Sequence, residues 1–478
     1  MSQKNETLPL ILSLLVTALL LGAGVWWFGK NTGLGGGTST GPIGSPSAGS
    51  NPSPGGGSTG RVSDRLSTGE RLLFPEGASP QKQEALQALA DRDYQRAIAS
   101  LEASLQANRN DPEALIYLNN ARIGEQESYM IAVAVPTAAA ANSALEILRG
   151  VAQAQDEVNQ AGGLEGTPVK VMIVNDDNSP DVTPQVADAL VKDRSVLGVI
   201  GHFGSDATLA AAPVYEAGRL VMISPTSTSI QLSGAGQYIF RTVPSDRFTA
   251  AALSRYMLER LRVQRAALFY NSQSAYSTSL KNEFTTAVFG DGGQVVGEFD
   301  LSAAGFDSVA SFDQATQQGA EVLVLAANTA TLDPALQVVA INRQRLPILG
   351  GDSLYNPRVL QVGGESAVGM VVAVPWILLA DPNTPFVRSS RQYWGGDVNW
   401  RTAMSYDAAI ALMNAISVGK ANRTAIAESL RSNADTIEGA TGVVRFLPSG
   451  DRNQAMQLVE IRPGTSQFGY NFYPVSQP

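Results

Sequence analysis

The sequence predicts an α/β fold with parallel sheets, divided between two lobes. From Met130 onwards, short and nearly continuous apolar segments alternate with longer segments whose apolar residues recur at helical spacing. Parallel strands that are buried on both faces have this apolar character, and the helices between them cover the sheet. About 350 residues of this pattern are too many for one such sheet, so we expect two lobes.

Eight apolar segments are the candidate strands. Each has five or six residues, and the segments between them, such as SALEILRGVAQAQDEVNQAGG, have a helical period and end in glycine. This alternation indicates strands joined by crossover helices. The candidate strands are residues 130–135, 169–174, 196–200, 220–224, 266–270, 322–327, 346–350 and 369–374.

Composition and charge exclude several classes of function. The chain has 478 residues, with 34 Lys and Arg, 43 Asp and Glu, a net charge of -9, one histidine and no cysteine. Thiolate chemistry, disulfides and sites built from several histidines are therefore excluded. The acidic balance lacks the positive surface that a nucleic-acid backbone requires. We predict no metal site, no cofactor and no nucleic-acid partner.

Residues 8–28 predict a membrane-spanning helix. The segment carries no charge and ends in two tryptophans and a phenylalanine, which favour the headgroup level. It is long enough to cross a hydrocarbon layer of about 30 Å. Residues 1–30 are therefore expected to anchor the chain in the plasma (inner) membrane, with the rest on the extracytoplasmic, periplasmic side. The small residues 22–24 leave a cleaved signal peptide as the alternative, and either reading implies export.

Residues 31–65 are predicted to form a flexible linker. From 31 to 60 the chain is almost wholly Gly, Ser, Pro and Thr and carries no charge. Such a composition buries too little apolar area to offset the entropy that ordering would cost. We therefore expect a tether between the membrane segment and the folded part of the chain.

Residues 66–128 predict a helical segment. Ala97, Leu101 and Leu105 recur at intervals of four, and Asp111 followed by Pro112 is typical of a helix start. The run from RDYQRAI to NDPEALIYL resembles a tetratricopeptide repeat, although it covers only about one and a half repeats. Because stacked repeats normally need three or more copies, we expect this hairpin to pack on its neighbour or on a partner. A simple spacer is the alternative.

Small polar loops follow two of the predicted strands. Ser205 and Asp206 lie at or just before a helix start, and hydroxyl residues crowd the run 224–229. In open parallel sheets, ligands bind beyond the carboxyl ends of the strands, where helix N-termini present free N–H groups. Hydroxyls beside such N–H groups suit a carboxylate. Ordinary helix capping is the alternative explanation.

Several stretches of the sequence, in a fixed order, carry a resemblance to a known family. From about residue 129 to 473, the chain resembles the type I periplasmic substrate-binding proteins of ABC transporters, specifically the leucine/isoleucine/valine (branched-chain amino acid) binding family. The stretches include LVKDRSVLGVIGHFGSDATLAAAPVYEAGRLVMISPTSTS, YIFRTVPSD, GGDSLYN, GESAVGMVVAVP, MSYDAAIALMNAI and GATGVVRFLPSGDRN. No single stretch decides the matter, but their shared order does.

The resemblance implies that residues 129–478 form two Rossmann-like lobes that close on a small ligand. It also implies three crossovers between the lobes, near residues 245–246, near 374–375 and near 438. Lobe one would hold about 129–247 and 376–437, and lobe two about 248–375 and 438–478.

The resemblance further implies which residues of lobe one hold the ligand. Ser205 and Thr228 match the positions that bind a carboxylate through their hydroxyl and N–H groups. The carbonyl of Thr226 would accept a hydrogen bond from an α-ammonium group. Ser227, in the same loop, completes the expected ligand-binding residues of this lobe.

In lobe two, the resemblance implies three ligand-binding residues. Tyr276 matches an aromatic that closes over the ligand, Asp352 matches an acidic partner of the ammonium group, and Tyr355 is expected on the same rim. An ordinary loop aspartate and a packed ring are the alternatives for the first two. The Ala-rich loop PTAAAANSALE and Asn328 depart from the family pattern, so the accepted side chain stays undetermined.

The predicted function is extracytoplasmic capture of a small amino acid by closure of two lobes, for uptake through an ABC permease. A membrane-tethered ligand-sensing receptor and a binder of an amide or urea-like solute are the alternatives. An enzyme is not expected. Ser205 and the single histidine, His202, do not set up a nucleophile, a base and an orienting third group, so we predict no catalytic residue.

Overall fold

The computed structural model describes residues 61–432 and 436–475. The predicted membrane segment at residues 8–28 and residues 31–60 of the predicted linker lie outside the described residues. The end of the predicted linker is folded, because Val62–Arg65 forms a short 3₁₀ helix in which Arg65 is buried and pairs with Asp177. Across the described ranges, none of the helices combines the length and the apolar character needed to cross a membrane.

Three helices precede the main sheets. Ser79, Asp93 and Asp111 start these helices, and each side chain accepts a hydrogen bond from a backbone N–H of the first turn. The helical character predicted from the apolar spacing is therefore confirmed. The helices are α1 (Pro80–Ala90), α2 (Tyr94–Ala107) and α3 (Pro112–Ile123).

A six-stranded sheet forms the centre of lobe one. Its strands are β1 (Leu66–Ser67), β2 (Tyr129–Val135), β3 (Val169–Asn175), β4 (Val196–Ile200), β5 (Val221–Ser224) and β6 (Ile239–Arg241). They lie in the order β1-β3-β2-β4-β5-β6, and all pairs are parallel except β1 with β3. The helices that join successive strands from β2 to β5 are α4 (Ala141–Gln160), α5 (Thr183–Lys192) and α6 (Ser205–Gly218).

After β6 the chain crosses to lobe two. This lobe holds the strands β7 (Arg265–Tyr270), β8 (Gln294–Asp300), β9 (Val322–Ala326), β10 (Ile348–Gly350) and β11 (Val371–Val374). The strand pairs formed by β7 to β11 are parallel. The helices of this part are α7 (Asp246–Arg255), α8 (Ala275–Gly290), α9 (Ser308–Gln317) and α10 (Leu332–Asn342).

The chain then returns to lobe one and finally ends in lobe two. The returning elements are α11 (Pro385–Trp394), α12 (Trp400–Gly419), α13 (Arg423–Ser432) and a hairpin of β12 (Ile437–Gly439) and β13 (Gly442–Val444). The last strands are β14 (Gln457–Pro463) and β15 (Tyr470–Pro474). Strand β14 joins β11 in antiparallel fashion and gives the second sheet the order β15-β14-β11-β10-β9-β7-β8.

The third crossover lies later in the chain than predicted. It was expected near residue 438, but the segment that follows the hairpin stays on lobe one. Arg452 forms a buried ion pair of 2.5 Å with Asp407 of α12, and Asp451 pairs with Arg241 of β6 at 2.6 Å. Each of these buried charges needs its partner, so the two ion pairs hold the segment on lobe one.

The three N-terminal helices form part of lobe one. Helix α3 packs on α4 and β3, and the buried side chain of Asn120 makes the joint. Its Nδ2 donates to the carbonyls of Thr68 at 2.8 Å and Val171 at 2.7 Å, and its Oδ1 accepts from Gln155 Nε2 at 2.9 Å. The sequence predicted that this segment packs either on its neighbour or on a partner, and the structure shows it packed on its neighbour, lobe one.

Candidate functional site

A cavity of about 330 Å³ lies between the two lobes. Ser205 and Thr226 border it from lobe one, and Tyr276 and Asp352 border it from lobe two. The carboxyl ends of parallel strands and the N-termini of the following helices meet there, as expected for an α/β ligand site. A cavity of this volume suits a small molecule.

The side of lobe one presents a helix N-terminus to the cavity. Ser205 is the first residue of α6 and is 2% exposed. The N–H groups in the first turn of a helix have no partner within the helix, and the helix dipole adds partial positive charge. Thr226 borders the same space, but its hydroxyl donates to the carbonyl of Phe203 at 2.8 Å. The first turn of α6 therefore offers N–H groups and partial positive charge to the cavity.

The side of lobe two presents a buried carboxyl and a buried phenol. Asp352 follows β10 and starts the short turn Asp352–Leu354, and Tyr276 is the second residue of α8. Burial raises the pKa of Asp352 to about 6, although the nearby Arg401 and the Tyr276 hydroxyl lower it. Within the described residues, Asp352 Oδ2 and Tyr276 Oη have no hydrogen-bond partner of good geometry. Buried polar atoms without partners are rare, and here they lie beside the cavity.

Amino-acid binding is expected to depend on pH through Asp352. An ammonium ligand needs the ionised carboxylate, and burial raises the pKa of Asp352 to about 6. The dissociation constant should be constant above about pH 7 and should rise about tenfold per pH unit below about pH 6, because a proton must leave before the ion pair forms. Calorimetry from pH 5 to 8 measures this. The Asp352→Asn variant should give a flat profile, and a flat wild-type profile would exclude the ammonium role.

Two of the residues predicted in lobe one are not among those that border the cavity. Ser227 does not border the cavity, and its hydroxyl contacts Thr208 Oγ1 at 2.6 Å inside the lobe. Thr228 is also fully buried away from the cavity, and its hydroxyl lies near the Asp246 carboxyl. Burial raises the pKa of Asp246 to about 7, which the hydroxyls of Ser279 and Thr228 partly oppose. The hydroxyl of Ser227 thus turns into lobe one, whereas that of Thr228 lies beside the first crossover.

Tyr355 also lies elsewhere than expected. It borders a second cavity of about 720 Å³, together with exposed residues such as Arg358. Its ring stacks on Phe472 with centroids 4.3 Å apart. Its carbonyl accepts a hydrogen bond from Arg401 Nη1 at 3.1 Å. Arg401 and three other residues border both cavities, so Tyr355 lies beside the first cavity without being part of its wall.

Three residues that sequence reasoning did not assign to the ligand also border the first cavity. Trp400 and Arg401 start α12, and Asp206 is the second residue of α6. Asp206 Oδ1 accepts a hydrogen bond from the backbone N–H of Ala275 at 2.8 Å, which joins lobe one to lobe two. The position of Asp206 after a strand was visible in the sequence, but its partner across the cleft was not. Nothing in the local sequence of Arg401 indicated a ligand site.

His202 has a structural role. The ring is fully buried, with Nδ1 2.7 Å from Asp176 Oδ2 and Nε2 2.9 Å from the Tyr215 hydroxyl. Both ring nitrogens are thus used within lobe one, and the side chain does not border the cavity. In the part of the chain that the structure describes, no group of three or more His, Asp or Glu side chains is placed to hold a metal ion.

Two α/β lobes, joined by three crossovers and separated by a polar cavity, define the class of two-lobed solute-binding proteins. The chain belongs to the periplasmic binding protein family, whose sequence model matches residues 131–466.

Known relatives agree with this family. The leucine-, isoleucine-, valine-, threonine- and alanine-binding protein of Pseudomonas aeruginosa is 25% identical over 306 residues, which are 63% of this chain and 81% of the relative. The crystal structure of a leucine binding protein from Thermotoga maritima has a TM-score of 0.62 and 22% identity, and covers 72% of this chain and 97% of its own. A Rhodopseudomonas palustris solute binding protein in complex with benzoate has a TM-score of 0.62 at 15% identity, and covers 73% and 98%. These structures support the fold, and their different ligands show that the fold does not fix the ligand.

Proposed function

We propose that this chain is an extracytoplasmic solute-binding protein that captures an α-amino acid by closing two lobes around it. The observation that carries the proposal is the cavity between the lobes, where the N-terminus of α6 faces Asp352 and Tyr276. The anion-binding helix end and the buried acid match the two charges of an amino-acid zwitterion. The names of relatives such as the Pseudomonas protein support the same ligand class.

The ligand carboxylate would dock first on lobe one. The hydroxyl of Ser205 and the free N–H groups of the first turn of α6 are the donors, and Ser205 Oγ already lies 3.3 Å from the N–H of Ser229. The carbonyl of Thr226 is the proposed acceptor for the ammonium group on this side. Hydrogen bonds to a charged group contribute about 1.5 to 3 kcal/mol each, so a few of them suffice for micromolar binding.

Closure of lobe two would complete the site. Asp352 would reach the ammonium group, and Tyr276 would cover the ligand. Hydrogen bonds that already join the lobes at the cavity include those from the Ala275 N–H to Asp206 and from Arg401 to the Tyr355 carbonyl. Both fit a closed form, in which the ligand charges are removed from water and each needs its partner.

The bond from Ala275 to Asp206 is expected to stabilise the closed form. Replacing Asp206 by alanine should weaken binding by about tenfold, since it removes a charge-assisted hydrogen bond that forms only on closure. Calorimetry measures the affinity, and small-angle X-ray scattering should find the ligand-saturated variant more extended than the wild type. The control is Asp188→Ala, because Asp188 is exposed and pairs only with its helical neighbour Lys192. Wild-type affinity and compaction in Asp206→Ala would contradict the closing role.

The closed form would be presented to an ABC permease, with residues 1–30 as a membrane anchor and residues 31–60 as a tether. A sensing receptor is the second candidate, because a freely diffusing carrier needs neither anchor nor tether. The tetratricopeptide character of residues 66–128 stays a proposal, and their packing on lobe one favours a supporting role. Fractionation of cells in the absence of detergent tests the anchor. A soluble product that begins near Gly24 would mean that the segment is cleaved.

The ligand class is tested by calorimetry of the full-length protein in detergent against the twenty amino acids. At least one should bind with a dissociation constant in the micromolar range or below. A response to none of them, together with a response to amides, urea-like solutes or aromatic acids, would replace the amino-acid proposal. Shorter fragments that begin near residue 125 are unsuitable, because helix α3 packs on α4.

A further inference from the structure

The start of α12 places two hydrogen-bond donors without partners at the wall of the first cavity. Trp400 is 2% exposed and Arg401 is 5% exposed, and both side chains border the cavity. The indole Nε1 of Trp400 and the Nε of Arg401 have no hydrogen-bond partner among the described residues. Burying a donor without an acceptor is unfavourable, so a ligand that brings an acceptor to this wall would be favoured.

Apart from aromatic rings, the remaining wall offers little for an aliphatic side chain. Of the described residues, no Leu, Ile, Val or Met borders the cavity, and its non-aromatic apolar lining consists of Ala139 and Ala330. An aliphatic ligand side chain gains affinity by contact with apolar groups. Here it would instead lie against a guanidinium group and an indole N–H, and would leave both without partners.

The charges around Arg401 also favour an anionic group on the ligand. The strongest carboxylate influence on Arg401 comes from Asp352, followed by Glu146. Glu146 is already engaged by Arg149 at 2.8 Å and by the hydroxyl of Thr402. When a ligand ammonium group takes Asp352, Arg401 loses its principal counter-charge. A second anionic group on the ligand would restore the balance.

On the basis of the proposed amino-acid binding, we propose that the ligand is a dicarboxylic α-amino acid whose side-chain carboxylate is bound by Arg401 and by the indole N–H of Trp400. The planar guanidinium group matches a carboxylate in geometry and charge. The α-carboxylate then binds at the start of α6 and the ammonium group at Asp352. Arg401 thus determines specificity and, through its bond to the Tyr355 carbonyl, also senses closure.

Calorimetry of the full-length protein in detergent tests this with L-glutamate, L-aspartate, their two amides and L-leucine. One of the two acids should bind about tenfold or more tightly than its own amide and than leucine. If leucine or an amide binds as well as both acids, this inference is wrong while the amino-acid proposal stands. The same conclusion follows if a different amino acid binds and neither acid does. Silence across all twenty amino acids would overturn both proposals.

Variants of Arg401 separate its role from general stability. Arg401→Gln should lower the affinity for the preferred acid by about a hundredfold and abolish the preference over the amide, and Arg401→Lys should keep part of that preference. The control is Arg358→Gln, since Arg358 borders only the second cavity and has a side chain that is 51% exposed. Thermal melting checks that each variant folds. If folded Arg401→Gln or Arg401→Lys keeps the full preference for the acid over its amide, as the control Arg358→Gln should, the inference is overturned.

Discussion

Replacing Asp352 by alanine is expected to weaken the binding of an amino acid by about a hundredfold or more, because one partner of a buried charge pair is lost. Asp352 is 4% exposed, and its Oδ2 has no partner of good geometry among the described residues. A ligand ammonium group left without this carboxylate would lie near the Arg401 guanidinium and would be repelled by it. Calorimetry of wild type and variant with the preferred amino acid measures the loss.

The des-amino analogue of the ligand is the control for this prediction. It carries the same carboxylate but no ammonium group, so it should lose little affinity, or even gain some, when Asp352 is replaced. Asp333→Ala serves as a control for the protein, since Asp333 lies in lobe two with a side chain that is 60% exposed and pairs with Arg358. Equal losses for the amino acid and its analogue would show that Asp352 does not recognise the ammonium group.

The second large effect is expected in the N-terminal helices, where Lys82→Met should reduce the free energy of unfolding by about 3 to 5 kcal/mol. Lys82 is 3% exposed, and its Nζ lies 2.7 Å from Asp111 Oδ2 and 2.8 Å from Glu113 Oε2. Burial lowers the pKa of Lys82, but Glu113 and Asp111 outweigh this and raise it. Without Lys82, the fully buried Glu113 keeps a charge or takes up a proton, and either is costly.

Thermal and denaturant unfolding measure this loss of stability, and two further variants show which interaction causes it. Adding Glu113→Gln to Lys82→Met should recover part of the lost stability, because it removes the unpaired buried charge. Lys281→Met removes an ion pair with Glu298 whose side chains are 17% and 38% exposed, and it should cost about 1 kcal/mol or less. If Lys82→Met and Lys281→Met were equally stable, the buried cluster would not hold α1 against α3.

The sequence predicted the buried part of the fold well. All eight candidate strands are present, because strands in the middle of a parallel sheet are apolar throughout. The strands that were missed lie near sheet edges or are very short. Strand β8, at one edge of the second sheet, is mostly part-exposed and contains Gly297, and β1 has two residues. Such strands have little apolar pattern, so their pairing depends on tertiary contacts.

For the site, too, residues placed by the order of elements could be predicted, and residues placed by tertiary contacts could not. Ser205, Tyr276 and Asp352 lie directly after strands, where the order of elements alone brings side chains to the carboxyl edge of a sheet. Arg401 comes from the start of a helix that follows the second crossover, and its place depends on how the chain returns to lobe one. Ser227 lies among other hydroxyl residues, and only backbone geometry decides which of them faces the cavity. Local sequence does not encode that choice.

A crystal structure of the protein grown with its preferred amino acid tests the central claim most directly. The account predicts the ligand in the first cavity, with its α-carboxylate within hydrogen-bond distance of Ser205 and its ammonium group in contact with Asp352. Density for the ligand in the second cavity beside Tyr355, or contact with one lobe only and none with Asp352, would contradict it.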